Sequence, residues 1–143
     1  MARIHKKIDI HAPVNKVFSF LEDPRNDPEW LPSMIEVRDV HGSGAGTHFN
    51  WSWKMAGMKF DGESTFIEDV PEKRLVVESK GGINATWKFS LEPGKKDETT
   101  LDLDIDYTVP VPVLGKLAEK LVLKRNEREA DMGLMNLKER LES

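Results

Sequence analysis

The amino-acid sequence predicts an α+β fold: one curved antiparallel sheet of seven strands gripping a long C-terminal helix, with two short helices between strands one and two. Three patterns lead there. Apolar and polar residues alternate from Arg3 to His11 and again, in runs broken by turn residues, from Ile35 to Val109, which is the period of half-buried strands. Past "VPVPVLG" the apolar spacing becomes helical and stays so to Leu141. Between the first strand and the others, "FLEDPRNDPEWLP" interrupts the chain with prolines. A sheet with one apolar face needs a cover, only the last helix is long enough to supply it, and sheets of this width twist and coil.

Each element has its own signature. Strand one sets Ile4, Ile8 and Ile10 against His5, Lys7, Asp9 and His11. Pro13 suits the first position of a helix, Val14, Val17, Phe18 and Leu21 follow at helical spacing, and Asp23-Pro24 stops the run. Asp27 then caps a very short second helix, with Pro28 at its start, Trp30 and Leu31 on its apolar side and Pro32 at its end. Ile35 and Val37 open strand two. The loop "HGSGAG" leads to strand three, where Phe49, Trp51, Trp53 and Met55 alternate with His48, Asn50, Ser52 and Lys54. Ala56-Gly57 makes a two-residue hairpin turn, and the return strand sets Met58, Phe60, Gly62, Ser64 and Phe66 against Lys59, Asp61, Glu63 and Thr65. Leu75, Val77 and Ser79 mark strand five; Ile83, Ala85, Trp87, Phe89 and Leu91 mark strand six; Leu101, Leu103, Ile105, Tyr107 and Val109 mark strand seven.

The helix predicted from Pro112 to Leu141 carries two apolar stripes. Leu114, Leu117, Ala118 and Leu121 form one, continued by Met132 and Met135; Leu123, Ala130, Leu134, Leu137 and Leu141 lie about half a turn away. Such a helix bends, near Gly133, or meets different parts of the fold at its two ends.

Length and composition bound the function. A chain of 143 residues is the size of one domain, spanning 1–143, and buries roughly two-thirds of its unfolded surface. The formal charge of −4 offers no basic excess for nucleic acid or an anionic membrane. There is no cysteine, which excludes disulfides and thiol chemistry and fits a reducing cytoplasmic setting. The N-terminus, "MARIHKKIDIHAPV", reads as neither a signal peptide nor a membrane span.

The element order, together with "IDIHAPVNKVFSFLEDPRNDPEW", resembles the START-like (SRPBCC) superfamily, in particular its polyketide cyclase/dehydrase and lipid-transport branch. The matching residues are Ala12-Pro13 after an alternating strand, Val17-Phe18, Asp23-Pro24 and Trp30. "GAGTHFNW", Pro71 with Arg74-Leu75, and Glu92-Pro93 before Thr99-Thr100-Leu101 extend the likeness over the whole chain. The resemblance implies a helix-grip fold with a cavity between sheet and helix.

The residues that would line such a cavity are unusually aromatic. Phe49, Trp51, Trp53, Met55, Phe60, Phe66, Trp87 and Phe89 share the inward parity, Trp30 stands at one end as a plug or a gate, and Leu121 faces in from the helix. Large side chains filling the space under one helix are the plainer account of the same pattern. Ser64 and Tyr107 are the expected inward polar groups. Arg125, on the face of Leu117 and Leu121, has a fork suited to a carboxylate or phosphate head group. A guanidinium reaching solvent from the helix edge explains that position equally simply. None of the four histidines shares the inner face, no spacing matches a zinc site, and Asp102, Asp104 and Asp106 read as a solvated outer stripe. "GSGAG" lacks the following helix and the Lys-Ser/Thr pair of a phosphate loop.

The expected function is therefore binding or transport of a small hydrophobic, lipid-like or aromatic molecule, with no catalytic residue, metal or cofactor. The alternatives are an aromatic polyketide cyclase or dehydratase, in which Tyr107, Arg125 or Glu129 moves protons, and an accessory protein whose outer face binds a partner.

Overall fold

The computed structural model describes residues 2–110 and 115–143. Strand β1 (Ala2–Ile10) leads into helix α1 (Val14–Glu22), a 3-10 turn (Pro24–Asn26) and the one-turn helix α2 (Asp27–Trp30). Six strands follow: β2 (Met34–His41), β3 (His48–Met55), β4 (Met58–Val70), β5 (Arg74–Gly81), β6 (Ala85–Pro93) and β7 (Thr99–Tyr107). Helix α3 (Lys116–Glu142) ends the chain. The strands form one antiparallel sheet in the order β1-β7-β6-β5-β4-β3-β2, so β2 to β7 are a meander and β1 pairs with its last strand.

The proline-rich segment holds more structure than expected. Its 3-10 turn is capped by Asp23, whose carboxylate accepts the Arg25 N–H at 3.0 Å, while Asp27 makes no side-chain cap. The Ala56-Gly57 hairpin forms as expected, both residues having positive φ (53° and 77°), the requirement of the turn that matches strand twist.

Three register shifts interrupt the strict alternation, one of them between Arg38 and His41 at the end of β2. On β2 the register slips between Met34 and Glu36, so Met34 packs against the core while Ile35, expected inside, is 51% exposed. On β4 it slips between Phe66 and Glu68. Phe66 is buried, Ile67 is exposed, and Asp69 comes to pair with Leu75, whose side chain points inward. Cross-strand partners share a face. The bulge thereby turns Asp69 toward the inside, beside Glu22 at the end of α1.

Helix α3 corrects the choice of stripe. Leu117 and Leu121 are exposed, as are Met132 and Met135, whereas Leu134, Leu137 and Leu141 join the core. The expected start at Pro112, and Leu114, lie outside the described residues. No break divides the helix at Gly133. A Cβ there would lie 3.3 Å from the Trp30 carbonyl oxygen, so this glycine lets α2 approach α3 closely. Asn136 donates to that same carbonyl at 3.2 Å, and Arg140 meets Glu29 at 3.1 Å. The middle of α3 is tied to β1 by Lys6, 2.8 Å from Glu127 and 3.2 Å from Asp131. On the outer face, Arg3 binds Asp104 through two hydrogen bonds and His5 meets Asp102 at 2.9 Å, so two acids of the stripe are paired across strands.

Candidate ligand-binding cavity

The inner face of the sheet, α2 and the middle of α3 enclose a cavity of about 110 Å³. Its walls are largely aromatic because β3 and β6 place large rings at alternate positions. A row of four rings runs from part-exposed to buried side chains. Trp53 meets Trp87 edge-on at 6.1 Å, Trp87 stacks on Phe89 at 6.1 Å, and Phe89 meets Trp30 edge-on at 6.2 Å. Trp53 and Trp87 are part-exposed, whereas Trp30 is 2% exposed. Phe49 and Phe66 form a second edge-on pair at 6.1 Å.

Most of the polar groups in this wall serve one another. The Trp51 indole N–H donates to Ser64 Oγ at 2.8 Å, and Ser64 Oγ lies 2.6 Å from Ser79 Oγ. Asn126 Nδ2 donates to the Tyr107 hydroxyl at 2.9 Å, which leaves the phenolic O–H free to donate. Burial pushes the Tyr107 phenol up from its ordinary value, opposed by that hydrogen bond. Ser33 donates to Glu129, which also lies 3.7 Å from Arg125. Asp27 is different. The residue is part-exposed and faces the cavity, and desolvation pushes its carboxyl up to about 8 against the opposing effect of the nearby Trp30 N–H. The Trp30 nitrogen itself is buried and makes no aligned hydrogen bond.

A second perturbed acid lies outside the cavity lining. Glu22 is pushed up to about 7 by the neighbouring Asp69 carboxyl and by desolvation, and both Asp69 oxygens are buried without an aligned hydrogen bond among the described residues. Among the described residues no three metal-binding side chains cluster, and no helix is long and apolar enough to cross a membrane.

Of the residues singled out from sequence, Trp30, Phe49, Trp51, Trp53, Met55, Ser64, Phe66, Trp87, Phe89 and Tyr107 line this space. Three do not. Phe60 pairs with Trp53 near the hairpin end of β4 and is part-exposed, packing against the core beyond the cavity. Leu121 is 62% exposed and the Arg125 side chain 70% exposed, because α3 presents its other stripe to the sheet. That stripe brings Asn126, Glu129 and Ala130 to the cavity. Glu129 is among the residues named from sequence as a proton mover; for Asn126 and Ala130, the spacing with Leu134 is the signal that could have found them. Asp27 and Ser33 had no such signal, since each reads as ordinary helix punctuation.

The family model described as polyketide cyclase / dehydrase and lipid transport matches residues 1–142. No curated protein matches the chain at a significant level. Among solved structures, TTHA0849 from Thermus thermophilus superposes with a TM-score of 0.80 at 23% identity, covering 98% of this chain and 97% of that one. A START superfamily protein from Mycobacterium smegmatis gives 0.76 at 17% identity, covering 97% and 98%. The Zhui aromatase/cyclase from Streptomyces sp. R1128 gives 0.69 at 14%, covering 97% and 94%. At these identities the likeness is one of fold.

Proposed function

The chain belongs to the polyketide cyclase/dehydrase and lipid-transport family, and from that premise we propose that its cavity binds a small hydrophobic ligand of aromatic character and carries out no chemistry on it. The observation that carries this reading is the row Trp53, Trp87, Phe89 and Trp30 along a partly open cavity of about 110 Å³. That volume is on the scale of voids that admit a single-ring guest. Burial of the ligand's apolar surface supplies the affinity, at about 25 cal/mol per Å² before the costs of association. Ring faces and edges supply selectivity for flat molecules. Trp51 and Phe49 complete the wall, and the Tyr107 hydroxyl, held by Asn126, orients a polar substituent.

Protein purified from its native host and extracted with organic solvent should release an aromatic compound in about equimolar amount. Ala130→Phe, which fills the space from α3, should copurify with none of it. Equal yields from the two proteins, or nothing released by the wild type, would overturn the reading.

A further inference from the structure

Asp27 and Trp30 lie on one turn of helix, α2, and both line the cavity. The Trp30 N–H is a buried donor without an aligned partner among the described residues, and the Asp27 carboxyl beside it makes no aligned hydrogen bond there either. Trp51, the other buried tryptophan of the wall, has its indole N–H satisfied by Ser64, while the Trp30 N–H is buried without a partner. A buried donor left unpaired is costly, so its persistence asks what accepts from it. The Asp27 carboxyl is near but not aligned to do so. No lysine, arginine or histidine is among the described residues lining the cavity. With no cation in the cavity wall, and with desolvation and the Asp23 charge both raising it, the Asp27 carboxyl holds its proton at neutral pH and presents an O–H. Two donors then lie together at the buried end of an aromatic slot, with the carbonyl oxygen of the Asp27 carboxyl not aligned to take the Trp30 N–H and Glu129 already engaged by Ser33.

We propose that Asp27 and Trp30 form an oxygen-binding subsite, and that the ligand of this cavity is a compact aromatic molecule carrying a carbonyl oxygen that both groups donate to. This rests on the cavity being a ligand site, as proposed above. An anionic head group fits poorly, since it would meet Asp27 and Glu129 with no cation in the wall. A protonated amine would instead require Asp27 to ionise, which the experiment resolves.

The test is calorimetric titration with three compounds on one single-ring frame: acetophenone, ethylbenzene and 1-phenylethylamine. The wild type should bind acetophenone about tenfold more tightly than ethylbenzene, and Asp27→Leu should reduce that ratio to about twofold or less. Trp30→Phe, which keeps a ring and removes the N–H, should also lower the ratio, and it carries the test should Asp27→Leu fail to fold. Asp27→Asn, which retains an N–H donor, should keep most of the preference. Equal binding of acetophenone and ethylbenzene, or a preference that survives both Asp27→Leu and Trp30→Phe, would overturn the subsite while leaving the cavity reading intact. Tightest binding by 1-phenylethylamine would overturn it in favour of a cation site. Failure of all three compounds to bind would overturn the cavity reading and this inference together.

Discussion

Gly62 shows how a missing side chain can place a large one. A Cβ at this position would come within 2.4 Å of the Trp51 ring and 2.6 Å of the Lys80 carbonyl oxygen. The bare backbone of β4 is therefore the floor on which the Trp51 ring lies, and from there its N–H reaches Ser64. Gly62→Ala should cost about 1–3 kcal/mol through the forced shift of that ring and of the Lys80 backbone, as overpacking does. Chemical denaturation measures the loss; an unchanged midpoint would mean that the ring has room to move. At this scale the sequence was legible where parity alone decides, as for Trp51, Ser64 and Tyr107. It was not legible at Asp27, because a carboxylate before a proline looks like a cap whichever way its side chain turns.

The elements differ in how plainly they announced themselves. The meander could be read because each strand alternates over enough residues to exclude other periods, and Ala56-Gly57 fixes one register. The bulges at Met34/Glu36 and Phe66/Glu68 could not, since one inserted residue changes which side chains face inward without altering composition. Helix α3 misled for another reason. Both its stripes are apolar, so amphipathicity alone does not choose between them, and the choice falls to what α2 and β1 offer as partners: the close approach at Gly133 and the Lys6 bridges. Leu137→Ala, at a fully buried position, should cost about 2–5 kcal/mol. Leu121→Ala, on the exposed stripe, should change stability by no more than about 0.5 kcal/mol. Similar losses in the two variants, measured by urea denaturation, would contradict the orientation of the helix.

For the whole molecule, the raised carboxyls set a pH dependence. Asp27 at about 8 and Glu22 at about 7 keep protons in the folded chain that the unfolded chain releases near its ordinary carboxyl values. The folded state thus binds more protons across that interval, so stability falls as pH rises from about 4 to about 8. Asp104, held low by Arg3, and Glu142, held low by Lys138, act in the opposite sense and remove stability only as pH drops through the acid range. The melting temperature should therefore be higher at about pH 5.5 than at about pH 8.5, and the double variant Glu22→Gln, Asp27→Asn should flatten the alkaline fall. A wild-type melting temperature that does not decline over that range would contradict the protonated pair. The aromatic wall has a consequence of a different kind. The chain has four tryptophans, Trp30, Trp51, Trp53 and Trp87, and every one of them borders the cavity. Its indole emission therefore comes wholly from rings that border the guest's space, the single tyrosine, Tyr107, borders it too, and the unlabelled protein is an optical gauge of its own occupancy.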